Sequence, residues 1–317
     1  MRKVLWILGG LALFAVVAAI TIQVAVWRNG PAVLSAVDNL TGGDRDAELK
    51  ATISTGAHPQ QKVLVWGPER RDPADAPLPV LLFAHGGGWR SGDPVDYGFI
   101  GRAFVPEGFI VVLSGYRLGE DGRYPAMLED TASAIAWTHE EIAAYGGDPD
   151  RIVIAGHSAG AYNVVMTALE EQWLGRRGLS TSDIAGVIGM SGPYDFAPFK
   201  SDSTIAAFGH VDDAEITQPI SHARADAPRV LLIQGEEDTL VFPRNSRVLA
   251  EEIESAGADP DTRFYADMDH NAPIISLAAP WRGRRDVLNV MTEFARTAST
   301  APAQIAQTSV PVQGESR

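Results

Sequence analysis

Five short apolar runs, separated by segments with helical spacing of apolar side chains, constrain the fold of this chain more than any other feature. The runs lie at residues 80–84, 109–113, 152–155, 184–190 and 230–233. They are rich in Val, Ile and Leu and lack polar alternation, as expected of strands that are buried on both faces. Helical patterns cover residues 125–145, 159–169 and 245–256. Strands in alternation with helices predict an α/β fold, with a mostly parallel sheet covered by helices on both faces.

The N-terminal segment differs from the rest of the chain, because residues 4–27 contain no charged side chain. Such a stretch is long enough to span a bilayer, which takes ~20 residues. Arg2 and Lys3 precede it, and this placement of positive charge predicts that the N-terminus stays in the cytosol. We therefore expect residues 1–28 to anchor the chain in a membrane with the remainder outside the cytoplasm, periplasmic or extracellular. The alternative is that the N-terminal segment is a signal peptide, cleaved after Ala19, and that the rest of the chain is secreted.

The remaining sequence divides by composition into three parts. Residues 29–50 are rich in Gly, Asp, Asn and Ser, which predicts a linker. Residues 298–317 are rich in Ala, Gln, Ser, Thr and Pro without apolar periodicity, which predicts a disordered tail. One folded domain is then expected at residues 51–297, and a chain that begins near Asp44 should be soluble and active.

Charge and cysteine content exclude several classes of function. The chain has 26 Lys and Arg against 40 Asp and Glu, for a net charge of −14, so its surface repels phosphate backbones and nucleic acid is an unexpected partner. It contains no cysteine, which excludes a disulfide, a thiol nucleophile and a zinc site built on cysteines.

One segment combines a strand, a tight turn and a helix, and reads Arg151-Ile-Val-Ile-Ala-Gly-His-Ser-Ala-Gly160. Its last five residues fit Gly-x-Ser-x-Gly, which marks a nucleophile elbow when an apolar strand precedes it and a helix follows. The glycines are needed because the turn is sharp and its neighbours crowd the backbone. A bare Gly-x-Ser-x-Gly usually marks an ordinary turn, whereas this setting favours Ser158 as a nucleophile.

A second glycine-rich segment follows an earlier apolar run and reads Phe83-Ala-His-Gly-Gly-Gly-Trp89. Successive glycines let backbone N–H groups point at a developing negative charge, as in an oxyanion hole. A glycine triplet alone can also be a flexible loop or a phosphate cradle. No Gly-Lys-Ser/Thr follows it here, and the negative charge of the chain disfavours phosphate.

A nucleophilic serine needs a general base, which lies after it in chain order in folds of this type. Three histidines follow Ser158, namely His210, His222 and His270. His270 comes just after a short strand-like run and before another helix, so a loop could carry it over the sheet. We therefore expect His270 to be the base, and the other two to be structural or exposed.

The base in turn needs a carboxylate that orients it, and this residue should leave the end of the preceding strand. The run at 230–233 is followed by Gln-Gly-Glu-Glu-Asp, which supplies three candidates. Asp238 is the preferred one, with Glu236 and Glu237 as lesser candidates. His85 and His157, beside the glycines, are expected to shape their loops rather than to act as bases.

These segments together resemble the α/β-hydrolase superfamily, and specifically its carboxylesterase branch, related to hormone-sensitive lipase and the kynurenine-formamidase-like esterases. The resemblance covers roughly residues 60–296 and includes three further motifs, Tyr124-Pro125, Gly146-Gly-Asp-Pro149 and Ser191-Gly-Pro-Tyr-Asp195. It implies an α/β-hydrolase fold, in which this chain has only a short cap at about residues 196–226. The N-terminal transmembrane helix expected from residues 4–27 precedes this domain and is not a general feature of the family.

The resemblance also implies roles for individual residues. By position, Ser158 is the nucleophile, Asp238 and His270 are its partners, and the N–H groups of Gly87, Gly88 and Ala159 are the oxyanion donors. The implied activity is hydrolysis of small carboxylic esters through an acyl-enzyme, with no metal or organic cofactor. The alternatives are an amidase, formamidase or peptidase on the same fold, or a catalytically silent binding module. The oligomeric state and the physiological substrate stay open.

Overall fold

The computed structural model describes residues 2–42, 46–72 and 74–300, without the side chains of residues 2–16, 18, 19 and 22. The strands are β1 Ala47–Ser54, β2 Lys62–Pro68, β3 Leu78–Ala84, β4 Ile110–Ser114, β5 Gly147–His157, β6 Gly186–Met190, β7 Arg229–Gly235 and β8 Asp261–Tyr265. The α-helices are α1 Arg2–Leu40, α2 Gly98–Phe104, α3 Ala126–Glu141, α4 Ala159–Leu169, α5 Gln172–Gly175, α6 Asp202–Phe208, α7 Arg244–Ala256, α8 Ala272–Ile275 and α9 Val287–Ala298.

The described strands form one 8-stranded sheet in the order β1-β2-β4-β3-β5-β6-β7-β8. The pairs β1–β2 and β2–β4 are antiparallel, and every pair from β4 to β8 is parallel. The prediction of a mostly parallel α/β sheet is therefore confirmed. Because parallel neighbours end at the same edge, the turns that follow β3, β5, β7 and β8 are gathered along one side of the sheet.

Both faces of the sheet are buried under helices, which explains why the central strands lack polar alternation. Val80 and Leu82 point into one core, together with buried residues of α3, α4 and α7. Leu81 and Phe83 point into the other core, with buried residues of α2 and α9. Successive side chains of β3 thus point into two different apolar cores, one on each face of the sheet. The sheet between these cores is a rigid support for the turns at its edge.

The apolar runs predicted all five central strands, to within a few residues at each end. The antiparallel strands β1 and β2 are not predicted from the sequence, although β2 contains the short apolar run 63–66. In β1, exposed and half-buried residues alternate, because this strand lies at the sheet edge. Helix α4 occupies the predicted range 159–169. Helices α3 and α7 begin within one or two residues of their predicted first residues.

The N-terminal part of the chain is helical over Arg2–Leu40, with a break at Asn29. The structure does not describe most of the side chains in the predicted transmembrane span at residues 4–27. Among the residues that the structure does describe, none of the helices is long and apolar enough to cross a membrane. The structure therefore does not support the transmembrane helix of the predicted fold.

Most of the described residues in the predicted linker, 29–42 and 46–50, instead belong to a helix or a strand of the structure. Their first part completes α1, and their last residues begin β1. Asp38 is wholly buried and bonded to Arg102 and Arg282, two cations of the folded domain. The predicted tail at 298–317 lies, from residue 301 onward, outside the described residues.

Candidate active site

Ser158 sits at the turn between β5 and α4, in a backbone conformation that L-amino acids rarely adopt. Its φ is 55° and its ψ −120°, and its N–H donates to the Met190 carbonyl at 2.8 Å. A Cβ at Gly160 would lie 2.2 Å from the carbonyl oxygen of Ala84, so only glycine lets the elbow pack against the end of β3. This turn places the Ser158 hydroxyl at the N-terminus of α4, where the helix dipole favours negative charge.

The structure brings together the three side chains that the sequence singles out for catalysis. His270 Nε2 lies 2.9 Å from Ser158 Oγ, and His270 Nδ1 lies 2.8 Å from Asp238 Oδ2. Ser158 is half-buried, whereas Asp238 and His270 are 2% and 7% exposed. The loops after β5, β7 and β8 therefore converge, although these residues are up to 112 positions apart.

Asp238 is held as a carboxylate. Burial opposes its ionisation, but hydrogen bonds from His270 and from the N–H groups of Val241 and Leu240 outweigh that cost and leave its pKa below the ordinary value. The two backbone bonds are 2.8 and 2.9 Å long and end on Oδ1, which leaves Oδ2 for the imidazole. A carboxylate in this position makes Nδ1 of His270 the protonated nitrogen and leaves Nε2 free to accept a proton.

The glycine-rich segment lies directly against the elbow. A Cβ placed on Gly86 would lie 3.0 Å from the His157 carbonyl oxygen and 3.4 Å from Ser158 Cβ. Gly87 has a φ of +128°, and a Cβ there would overlap the Ser91 carbonyl, so this position requires glycine. Ala159 is the first residue of α4, where backbone N–H groups have no partner within the helix. The glycine-rich segment, at Gly86, and the start of α4 thus both border Ser158.

The cap covers this edge of the sheet with aromatic side chains. Phe208 is fully buried, and it packs edge-on against Trp89 and Tyr162, with ring centroids 4.9 and 5.2 Å apart. Phe196 and Phe199 are half-buried and stack next to it. Trp89 directly follows Gly88, so the aromatic cluster extends to the glycine-rich segment.

The other candidates lie outside this arrangement. Ring nitrogens of His210 and His222 bond to backbone carbonyls, of Tyr124 and of Ile216 respectively. Glu236 and Glu237 are exposed, and Glu236 pairs with Arg247. Within the described part of the chain, no group of three or more His, Asp or Glu side chains is placed to hold a metal ion.

Comparison with known proteins bears on the identity of this fold. The model of the BD-FAE family matches residues 70–253, more than half of the chain. The chain belongs to the BD-FAE family. The matched region contains Ser158 and Asp238 and ends before His270. The recognition of an α/β-hydrolase of the carboxylesterase branch is confirmed.

Curated relatives of this BD-FAE chain carry the names of esterases. Esterase LipQ of Mycobacterium tuberculosis is 31% identical over 68% of the chain and 54% of its own length. A probable isoprenylcysteine alpha-carbonyl methylesterase of rice, Oryza sativa subsp. japonica, is 27% identical over 76% of the chain and 62% of its own length. The chain thus spans only about half to three fifths of these relatives. At the level of the family, the relatives support the prediction of an esterase-type enzyme.

Solved structures share the fold of this BD-FAE member. A truncated carbohydrate esterase from gut microbiota has a TM-score of 0.67 at 18% identity and covers 81% of the chain and 97% of its own. Esterase B from Lactobacillus rhamnosis has a TM-score of 0.68 at 22% identity and covers 91% of the chain and 97% of its own. At these identities the likeness establishes the fold.

Several residues that support the triad in this BD-FAE chain have no sequence signal. Gln234 donates to Asp238 Oδ2 at 3.0 Å and is itself fixed by the hydroxyl of Ser246. Asn163 on α4 accepts a 3.1 Å hydrogen bond from the indole of Trp89, which joins the glycine-rich segment to the helix that follows the elbow. Both are buried polar side chains, and only the three-dimensional arrangement reveals their partners.

Two buried histidines predict how stability depends on pH. Burial lowers the pKa of His85 to about 4 and that of His157 to about 3, so both stay neutral in the folded chain down to those values. In the unfolded chain a histidine gains a proton below pH ~6.5. Their stabilising contribution is therefore complete above pH ~6.5, and it is lost progressively as the pH falls towards the folded values.

We expect the free energy of unfolding to fall between pH 6.5 and 5 by roughly 1.5 kcal/mol for each of these histidines. Urea titrations at both pH values would measure the loss. The variant His157→Gln should remove one share of the pH dependence. Equal pH dependence in the wild-type and His157→Gln chains would contradict the explanation.

Proposed function

We propose that this chain is a serine esterase that hydrolyses small carboxylic esters through an acyl-enzyme intermediate. The observation that carries the proposal is the pair of hydrogen bonds, 2.9 and 2.8 Å, that links Ser158 through His270 to Asp238. The serine of this hydrogen-bonded set lies on a strained elbow, next to a glycine-rich turn. Membership of an esterase family and relatives named as esterases support the same reaction.

In the proposed reaction, Ser158 Oγ attacks the ester carbonyl carbon while His270 Nε2 accepts the hydroxyl proton. Asp238 stabilises the imidazolium that forms. When the tetrahedral intermediate collapses, the proton passes to the departing alcohol and the acyl group stays on Ser158. Water then attacks the acyl-enzyme with His270 again as base, which releases the carboxylic acid and restores the serine.

The negative charge of each tetrahedral intermediate needs donors that are already in place. We assign this task to the N–H groups of Gly87, Gly88 and Ala159. The left-handed backbone at the two glycines and the helix start at Ala159 support the assignment. A donor of this kind is worth on the order of 3 kcal/mol of barrier.

The aromatic cluster supports a preference for small substrates. Trp89, Phe196 and Phe208 pack against one another beside the glycines, so they fill space that a long acyl chain would need. Two acidic residues at the ends of the cap are paired, Asp195 with Arg244 and Asp226 with Arg224, which weakens the repulsion that they could exert on anionic substrates. We therefore attribute selectivity to shape more than to charge.

Labelling with a fluorophosphonate, followed by peptide mass spectrometry, tests the proposal. The probe should attach to Ser158 stoichiometrically, and labelled protein should lose activity towards p-nitrophenyl esters. Acetate and butyrate esters should have a higher kcat/KM than palmitate esters. An unlabelled chain without esterase activity would favour a silent binding module, and turnover of amides or formamides but not esters would favour the amidase alternative.

We also propose, from the sequence, that residues 1–28 anchor the chain in a membrane and leave residues 51–297 outside the cytoplasm. The uncharged stretch at 4–27 behind Arg2 and Lys3 supports this localisation. In fractionated cells the full chain should require detergent for release, and protease added to spheroplasts should digest it. Recovery of the full-length chain from the soluble cytosol would contradict both anchoring and export.

A further inference from the structure

His157, the residue before Ser158, lies in the elbow and contacts two other segments of the candidate site. These are the glycine-rich segment, at Gly86, and the loop that carries His270. His157 is the last residue of β5, is 5% exposed, and belongs to the elbow itself. Its Nδ1 lies 3.1 Å from where a Cβ on Gly86 would be, so the ring packs against the oxyanion segment. Its Nε2 lies 2.9 Å from the backbone carbonyl oxygen of His270, and the two imidazole rings are 4.9 Å apart.

The bond to His270 fixes how the ring of His157 is protonated. A carbonyl oxygen can only accept, so Nε2 of His157 must carry the proton. Burial, together with a smaller effect of the neighbouring His270, lowers the pKa of His157 to about 3, although Asp238 and the bond to the carbonyl oppose this shift. His157 is therefore a neutral donor, and it places no charge beside the proposed base.

We propose that His157 is a positioning residue, which holds the backbone of His270 so that the imidazole meets Ser158 and Asp238 at the same time. The inference rests on the proposed serine mechanism. The side chain of His270 is fixed at Nδ1 by Asp238, and its backbone is fixed by His157. Without the second attachment, the loop between β8 and α8 can shift while the Asp238 bond persists.

A shift of this kind acts on catalysis rather than on substrate binding. A misplacement of ~1 Å in a catalytic group can cost on the order of 10²-fold in rate. Because His157 is only 5% exposed and bonds to the His270 backbone, KM should change little. The expected signature is therefore a loss of kcat at nearly constant KM.

Two amide variants separate the hydrogen bond from the packing of the ring. The amide nitrogen of glutamine reaches the position of Nε2 in histidine, whereas that of asparagine reaches only the position of Nδ1. His157→Gln should thus keep the donor to the His270 carbonyl and retain kcat within about fivefold, while His157→Asn should lose on the order of 10²-fold. Rates of fluorophosphonate labelling at Ser158 should fall in parallel with kcat.

His210 supplies the matched control, because its Nε2 also lies 2.8 Å from a backbone carbonyl, that of Tyr124, but away from the triad. His210→Gln and His210→Asn should both keep wild-type kcat. Equal kcat in His157→Gln and His157→Asn, or a loss confined to KM, would overturn the positioning role. If Ser158 is not labelled even in the wild-type chain, the proposed function fails instead, and the two failures are distinguishable.

Discussion

Replacing Ser158 with alanine should reduce kcat towards small esters on the order of 10⁶-fold and abolish fluorophosphonate labelling. Without the hydroxyl no acyl-enzyme can form, and only transition-state binding by the remaining groups is left. The fold should be unaffected. The Ser158 side chain is half-buried, and its hydroxyl bonds to His270 but does not support the packing of other side chains. Initial rates with p-nitrophenyl butyrate and circular dichroism would measure the two effects.

Ser191 offers a control of the same residue type at the neighbouring strand end. It follows β6, and its φ of 51° is close to that of Ser158. Its buried hydroxyl has no hydrogen-bond partner among the described residues, so Ser191→Ala should retain labelling and near wild-type activity. His270→Ala should cost on the order of 10⁴-fold or more, and His222→Ala should cost little. Labelling of another serine in Ser158→Ala would refute the assignment of the nucleophile.

The predictions that succeeded at the level of the fold rest on local signals. Burial on both faces leaves a run of apolar residues in each central strand, whatever its neighbours are. The elbow is equally local, because Gly156, Ser158 and Gly160 fall within five residues and form a single turn. Because β7 and β8 are parallel neighbours, the loops of Asp238 and His270 then lie at the same edge of the sheet.

Contacts between distant parts of the chain could not be predicted in this way. His157 and His270 are 113 residues apart, and neither residue type indicates a partner. Residues 29–50 were expected to be a linker because their composition is polar and rich in glycine. The carboxylate of Asp38 looks solvated in the sequence, yet its partners Arg102 and Arg282 lie on elements folded around it.

The cluster around Asp38 leads to the second large expected effect, which is on stability. Asp38 Oδ2 lies 2.6 Å from Arg102 Nε, and Oδ1 accepts from Arg282 at 2.9 Å and from the Ala279 N–H at 2.7 Å. Arg102 also donates to the carbonyl and hydroxyl of Ser35. The end of α1 is thereby bonded to α2 and to the segment after α8.

Asp38→Ala should lower the free energy of unfolding by about 3–5 kcal/mol, because it leaves Arg102 buried without its carboxylate. Urea denaturation of a chain that begins at Arg28 would measure the loss without the uncharged stretch. A chain that begins at Asp44 lacks both Ser35 and Asp38, so it should be destabilised at least as much and aggregate. This expectation replaces the soluble, active product that a flexible linker would allow.

A surface pair provides the comparison for this effect. Asp261 accepts from Arg229 at 3.0 Å, a geometry similar to that of Asp38, but both side chains are about half exposed. Asp261→Ala should cost less than ~1 kcal/mol, because water solvates the arginine that is left. If Asp38→Ala were equally mild, or if the chain beginning at Asp44 unfolded at the same urea concentration as the one beginning at Arg28, α1 would be dispensable. A large difference makes residues 30–40 part of the folding unit, and any anchor before them would be joined to the hydrolase domain through a docked helix.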